Sequence, residues 1–403
     1  MVINEAKQCR ICGNDVIELI DFGEIYINDF PKERGHNKGK APMILDQCIA
    51  CSLVQMRHTV DPQILYGDQY WYESALNPKL KQNLLDIAEI ANQQTVPNDT
   101  ILDIGANDGT LLSGIADNRI RIGCEPASNL WNKLAHNCDV MISHRWDWRV
   151  IPTTKCKIVT AIGMLYDLDN PNQFIEGVNV VLADDGIFIA QLMALAPMLK
   201  KIDLGNVCHE HLEYYSYRSL VELYERNGLE IYDIKQNDIQ GGSYQIYARH
   251  LTDNGSIQFY EEVADVGSFF EKTQHNGNLL RVLLKDFKTQ GNRCYVYGAS
   301  TKGNTMLQIW NLGEYFEGAA EIHPDKIGRY TVGTDIPIID EDIALEYASL
   351  LFIPNFGFKD MFIEKLRDWI LAGGKLVFAM PEVEVVHADN IDKHTEGRSK
   401  IYK

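Results

Sequence analysis

Two C-x-x-C pairs constrain this chain more tightly than any other feature. Cys9 and Cys12 enclose Arg-Ile, Cys48 and Cys51 enclose Ile-Ala, and 35 residues lie between the pairs. A C-x-x-C turn presents two thiolates on one side, and a tetrahedral ion needs four soft ligands that converge. The two turns therefore predict one four-cysteine zinc site, with the segment PKERGHNKGKAP folding back between them. Gly13 follows the first pair, as a tight knuckle requires. Protein sulfur fills every position of such a site, so none is open for water and the role is structural. The competing reading is two unrelated redox or core pairs. Cys124, Cys138, Cys156 and Cys294 read as buried apolar thiols. Nine cysteines, an odd number, behind a start (MVINEAKQCR) with no apolar signal core fit free thiols and metal in a reducing compartment, and the expected location is cytoplasmic.

A length of 403 residues allows two or three domains. Asp plus Glu outnumber Lys plus Arg by 56 to 38, a net charge of −18, which repels nucleic-acid backbones and anionic membranes. Neither is an expected partner, and no apolar run reaches the 18 residues or so of a membrane span. The chain divides by pattern into residues 1–70, with both cysteine pairs, 71–255, and 256–403. The middle segment opens on a helix carrying Leu80, Leu84, Leu85, Ile87 and Ala88 at helical spacing. From Asn98 the rhythm becomes strand, loop, helix: TILDIG, RIGCEP, KIVTAIGM and GIFIAQL are apolar runs, with helices in NLWNKLAHN and NPNQFIEGVNVVLA. That alternation implies a parallel sheet covered by helices on both faces. LEIYDIKQNDIQGGSYQIYARH adds an antiparallel hairpin. After a long helix through FFEKTQHNGNLLRVLLKDFKTQG, a second βα pattern (RCYVYGAS, TKGNTMLQIWNLG, SLLFIPN, KLVFAMP) predicts a smaller nucleotide-fold-like domain.

The segment ILDIGANDGTLLS is the most informative part of the middle domain. A strand runs into Asp103, Gly105, Asn107, Asp108 and Gly109, and a helix follows. Gly105 allows close approach of the backbone to a ligand, and Gly109 opens the helix. The two glycines lie four apart, as in the first motif of class I methyltransferases, and GCEPAS ends the next strand on Glu125, a carboxylate able to accept both ribose hydroxyls. Asp103 and Asp108 would repel a pyrophosphate. They suit a cofactor with an amine and a sulfonium, S-adenosylmethionine (SAM).

The stretch CHEHLEYYS follows the strand GIFIAQL, in an insertion at the carboxyl end of the sheet where open α/β folds bind ligands. His209 and His211 point to opposite sides if extended, so at most one faces a substrate. A metal held by Cys208, His209 and His211 is a weaker alternative. Asn206, Gln191, Tyr214 and Tyr215 are candidate donors nearby, and Gly241-Gly242-Ser243 forms a loop able to reach the same face. In the third domain, Gly298 to Thr305 leads from a strand into a helix, and its amides with Ser300, Lys302 and Asn304 form an anion cradle. Lys302 is equally compatible with a solvated helix-start lysine. Arg329 and Tyr330 are weaker candidates.

Together these pieces resemble the sugar C-methyltransferases that build branched deoxysugars by methylating C3 of a nucleotide-linked 4-keto-6-deoxyhexose. The resemblance spans the chain: the four-cysteine zinc unit, DIGANDGTLL, CHEHLEYYS, QGGSYQIYA at 240–248, YGASTKGNT at 297–305 and PDKIGRYTVGTDIPI at 324–338. It implies an α/β chain in which a class I, Rossmann-like methyltransferase domain is flanked by an N-terminal zinc-binding domain and a C-terminal Rossmann-like domain. The third domain would help hold the nucleotide sugar, in a monomer or homodimer. His211 would be the base, with His209 and Glu210 beside it. C-methylation requires removal of a proton next to a ketone and a polar group at the resulting enolate oxygen, and a histidine suits the first task. This chain departs from the family twice. Cys208 replaces a tyrosine, and Tyr166-Asp167 stands where a histidine is common. A Tyr166 hydroxyl near the reacting carbonyl would be one compensation. The alternative function is SAM-dependent O- or N-methylation of a sugar or other small molecule.

Overall fold

The computed structural model describes residues 3–66, 71, 73–150, 155–262 and 265–394. At the amino terminus, β1 (Ile3–Glu5), β2 (Val16–Tyr26), β3 (Lys40–Cys48), β4 (Val54–Met56) and β5 (His58–Val60) are all short or half-exposed strands. β1 pairs antiparallel with β5, and β3 with β4, setting Leu45 opposite Met56. Alternate residues of β3 (Ala41, Met43, Leu45) are buried, the period-two signature of a strand with one face inward.

The middle of the chain supplies β6 (Thr100–Ile104), β7 (Ile120–Cys124), β8 (Val140–Ile142), β9 (Cys156–Ile162), β10 (Leu182–Met193), β11 (Glu213–Tyr214), β12 (Leu229–Asn237) and β13 (Ser243–His250). Seven of these form one sheet of order β12-β13-β10-β9-β6-β7-β8. The pairs from β10 to β8 are parallel, and β13 and β12 close that side antiparallel, as the QGGSYQIYA hairpin predicts. Every residue of β6 is buried, which is why it reads as a continuous apolar run and not as an alternating one. The chain leaves β6 for β7 on one side and later returns to β9 on the other. The carboxyl end of β6 is thus the switch point, where an open sheet leaves a crevice.

Helix Pro78–Gln93 starts at Asn77, whose side chain accepts from the Lys79 and Leu80 amides, and buries Leu80, Ile87, Ala88 and Ala91. Helix Pro171–Val181 is capped by Asn170, and helix Tyr217–Arg226 by Ser216. NLWNKLAHN yields only one helical turn, Trp131–Leu134, behind a 3-10 turn, shorter than its pattern suggests.

Contacts group the chain into two compact units, each drawn from several stretches of sequence. The first unit comprises Met1–Leu19, Leu45–Pro197 and Glu210–Val263. Its core runs without a break from Cys9, Ile11, Cys51 and Leu53 into Leu102, Ile104, Val159, Phe188 and Tyr215, so cysteine knuckles and methyltransferase sheet share one interior. β11 pairs antiparallel with β4, Glu213 opposite Gln55 and Tyr214 opposite Val54.

The second unit comprises Ile20–Ile44, Met198–His209 and Ala264–Lys403. Its strands are β14 (Cys294–Tyr297), β15 (Gly318–Glu321), β16 (Ile338–Asp340), β17 (Leu350–Phe352), β18 (Lys375–Phe378) and β19 (Glu384–Val386). They form a sheet of order β16-β15-β14-β17-β18-β19, parallel except at β19. The 24-residue helix Val266–Thr289 precedes it. Residues 20–44 belong with this sheet through bonds such as the Tyr26 amide to Gln308 Oε1 (2.8 Å) and the Tyr330 amide to the Pro31 carbonyl (3.0 Å).

Gly109 precedes the helix Thr110–Ser113 with φ at +79°, and a Cβ there would sit 2.9 Å from Cβ of Asn137. Left-handed backbone and lost space act together. We expect Gly109→Ala to cost about 1–3 kcal/mol, read as a lower urea midpoint without SAM. An unchanged midpoint would mean that the loop relaxes freely.

Candidate active site and zinc centre

The four knuckle sulfurs converge. Sγ of Cys9 lies 3.5 Å from that of Cys51, Sγ of Cys12 lies 3.4 Å from that of Cys48, and all four fall within 4.8 Å of one another. Zinc–sulfur bonds of roughly 2.3 Å in a tetrahedron set sulfurs roughly 3.8 Å apart, so this cluster fits Zn2+ with little movement. The Ala50 and Cys51 amides point at Cys48 Sγ, both at 3.4 Å, and Asn14 Nδ2 at Cys12 Sγ, at 3.2 Å. Hydrogen bonding from Cys51 pushes the Cys9 thiol down to about 5, which favours the thiolate that a metal needs. Among the described residues this is the one cluster of three or more His, Cys, Asp or Glu side chains close enough to hold a metal, so Cys208, His209 and His211 form no second centre.

A cavity of about 300 Å³ opens in the first unit at the carboxyl ends of β6, β7 and β9. Gly105, Asn107 and Glu125 line one part of it. Glu125 is buried and accepts from the Asn107 amide at 2.9 Å and the Ala127 amide at 2.8 Å, which ties the loop after β6 to the loop after β7. Gly105 has φ at +75°, and a Cβ there would meet the Met164 side chain at 2.9 Å. Asp103 and Asp108 are not among the cavity's lining residues and are held by local hydrogen bonds. Asp103 accepts from the Thr160 hydroxyl at 2.6 Å across the sheet. Asp108 accepts from the amide and hydroxyl of Thr110 and from the Ala75 amide, and so works as a turn and cap residue.

The cavity is also lined by Tyr66, Asp167, Glu210 and Leu212. His211 lies between the last two, half-buried, with its ring edge-on to Tyr166 at 4.6 Å between centroids. Leu212 is pinned on both sides, its amide to the Tyr166 carbonyl (2.7 Å) and its carbonyl to the Met56 amide (2.8 Å). Burial and then the nearby Glu210 carboxylate push the Asp167 carboxyl well above the usual carboxylate range. Oδ1 of Asp167 is buried without a hydrogen-bond partner among the described residues.

Other expected site residues separate. His209 is buried in the second unit with Nε2 3.1 Å from the Ala41 carbonyl, an interior histidine. Tyr215 is wholly buried in the first unit's core, its hydroxyl well above the ordinary tyrosine range through burial, and Tyr214 is buried in β11. The Ser243 hydroxyl donates to the Ile239 carbonyl (2.9 Å), and the Gly242 carbonyl accepts from the Ala194 amide (3.2 Å). Asn206, Ser300, Lys302, Asn304 and Arg329 all lie in the second unit. Ser300 caps the helix Thr301–Ile309 by accepting from the Gly303 amide. Lys302 donates to Asn206 Oδ1 and lies 3.6 Å from the buried Asp203 carboxylate, so it is a paired cation and not a solvated one. Asn304 donates to the Asp29 carbonyl (3.2 Å), and Arg329 to that of Phe30 (3.1 Å).

Sequence reasoning missed Tyr66 as a wall of the cavity and Asp167 as its buried acid. Tyr66 ends the short helix Pro62–Tyr66, which carries no motif. Asp167 is visible in the sequence as an acidic residue just past the strand KIVTAIGM, a position that faces the crevice in this fold.

Three family models match in chain order: a zinc binding domain over residues 9–66, a methyltransferase domain over 72–234, and a C-methyltransferase C-terminal domain over 238–381. The C-methyltransferase NovU of Streptomyces niveus is 23% identical over 416 residues, covering 96% of this chain and 99% of that protein. Among solved structures, a SAM-dependent methyltransferase from Clostridium acetobutylicum is 10% identical, covering 43% of this chain and 92% of its own, with a TM-score of 0.35. Magnesium protoporphyrin IX methyltransferase from Synechocystis, solved with bound SAH, is 13% identical, covering 47% and 92%, with a TM-score of 0.35.

Two outcomes are expected. The purified chain carries one zinc per molecule by metal analysis, and Cys48→Ser with Cys51→Ser lowers this at least tenfold; full retention would place the metal elsewhere. Burial also pushes the Asp103 carboxyl up, to about 7 from an ordinary 3.8, against the pull of the Thr160 hydroxyl. Between those values the folded chain keeps a proton that the unfolded chain releases, so this group makes the fold less stable as pH rises from about 4 to about 7. Asp103→Asn should therefore gain stability relative to the native chain across that window, by on the order of a few kcal/mol in urea unfolding without SAM. Parallel pH profiles would show that Asp103 is ionised in the fold.

Proposed function

We propose that this chain, whose successive segments match a zinc binding domain, a methyltransferase domain and a C-methyltransferase C-terminal domain, is a SAM-dependent C-methyltransferase that methylates C3 of a nucleotide-linked 4-keto-6-deoxyhexose. One observation supports this reading: a single cavity is lined by Gly105, Asn107 and Glu125 and also by Asp167, Glu210 and Leu212, the last two being the neighbours of His211 in the chain. A methyl donor and a carbon acid can meet there.

SAM supplies an electrophilic methyl group when bound. Glu125 and Asn107 would hold its ribose end, and Gly105 would let it lie close to the backbone. His211 takes the proton from the carbon beside the ketone. Its ring packs edge-on against Tyr166, which limits its rotation. The enolate oxygen that forms needs a donor. Asp167, whose carboxyl burial and then Glu210 push well above the usual carboxylate range, would offer an O–H there. In the second unit, taken by itself, the amides opening the helix Thr301–Ile309 and the Lys302 ammonium form a cradle suited to an anion such as a diphosphate. Because Asp203 already pairs with Lys302, the amides carry more of that task than the sequence suggests. The matched domains support SAM-dependent C-methylation; the sugar, its nucleotide and the C3 position go beyond them.

The test incubates the protein with a panel of nucleotide-linked 4-keto-6-deoxysugars in deuterium oxide. Without SAM, the hydrogen at C3 exchanges; with SAM, a new methyl group is located at C3 by NMR. His211→Ala lowers both rates by about 10²–10⁴-fold while SAM affinity stays within about twofold. Methylation on oxygen or nitrogen would overturn the reading, as would near-normal turnover by His211→Ala.

A further inference from the structure

Arg10 sits between the first two zinc ligands, in Cys9-Arg10-Ile11-Cys12, yet its side chain is only 3% exposed. The knuckle fixes its backbone. The Arg10 amide donates to Gln55 Oε1 at 2.9 Å, and Gln55 is the residue opposite Glu213 in the β4–β11 pair. Its guanidinium donates through Nη1 to the Met56 carbonyl and through Nη2 to Thr59 Oγ1 at 2.9 Å. Nε then faces two carboxylates, Glu213 at 3.6 Å and Asp169 at 3.5 Å, and the Thr59 hydroxyl donates to Asp169 at 2.6 Å.

The placement of those two carboxylates gives the arrangement its meaning. Glu213 lies two residues after His211, and Asp169 lies two residues after Asp167. One guanidinium thus spans the ends of both segments, which also line the cavity through Asp167 and Glu210. Between them, the Leu212 amide bonds the Tyr166 carbonyl and the Leu212 carbonyl bonds the Met56 amide, so the His211 backbone is anchored one residue from Arg10's own partners. Glu213 has no exposure at all, and a buried carboxylate held only by packing would be costly. Burial pushes its carboxyl well above the usual range, and Arg10, a residue of the metal knuckle, is the cation that pulls it back.

We propose that Arg10 is a positioning residue: through it the zinc knuckle sets the geometry of the two segments carrying His211 and Asp167. The zinc unit then acts on the reaction as well as on the fold, without touching substrate or cofactor. Only the task assigned to His211 rests on the reading above; the mechanical coupling stands on the contacts of Arg10 alone.

The test uses the full chain with zinc bound. Arg10→Met alone leaves Glu213 buried and unpaired and can unfold the protein, so the deciding variant is Arg10→Met with Glu213→Gln, which removes both charges at similar volume. Amide hydrogen exchange is followed across residues 208–216 and, as a control, across β6. We expect one zinc per chain, SAM affinity within twofold of native and native protection in β6, with the Leu212 amide exchanging at least tenfold faster. Native protection at Leu212 would overturn the proposal. So would a general loss of protection that includes β6, because Arg10 would then serve the whole fold. In the methyl-transfer assay the same variant should lose at least tenfold in kcat with KM for SAM unchanged. If the native chain turns over no sugar nucleotide, the functional reading fails, and the amide measurement still decides this inference.

Discussion

Four sulfurs drawn within 4.8 Å of one another fix the position of two distant turns of the chain, and the first unit is built outward from that point. A thiolate cluster of this kind cannot persist as four bare charges in a buried place. It needs the cation, and the cation in turn pins every residue between and beside the ligands. Ile11 and Leu53, which flank the ligands, pack into the same interior as the strands β6 and β9. The metal therefore does more than staple an accessory module. It anchors one wall of the core whose other wall is the methyltransferase sheet.

That sheet carries an electrostatic burden of its own. Asp103, Asp108 and Glu125 are all buried near the end of β6, and no lysine or arginine is among their bonded partners given above. Backbone amides and threonine hydroxyls satisfy them instead. Such donors satisfy the oxygens, yet burial still pushes the Asp103 and Glu125 carboxyls above their ordinary values.

Much of the fold was legible in the order of residues. Apolar runs such as TILDIG and GIFIAQL marked the parallel strands, and the cysteine pairs and the loop after β6 carried signals that depend on spacing. What could not be read were features made by distant pairing. β11 is two residues long, and it exists as a strand because β4 lies beside it. Likewise, nothing local distinguishes His209 from His211. One meets the Ala41 carbonyl and the other stands against Tyr166, and only tertiary context sorts them. Tyr214 and Tyr215 had the look of pocket residues because aromatics serve both walls and cores, and burial decided for the core.

The second unit is threaded from three stretches, residues 20–44, 198–209 and 264–403. During synthesis, the first two leave the ribosome long before the strands they will join. Ile27, Phe30, Leu204 and Val207, all without exposure in the finished protein, must wait for the last third of the chain. A truncation at the apparent domain border would strand them permanently. This architecture ties the burial of those early residues to the last third of the chain, and leaves no simple point in the sequence at which one module could be exchanged for another.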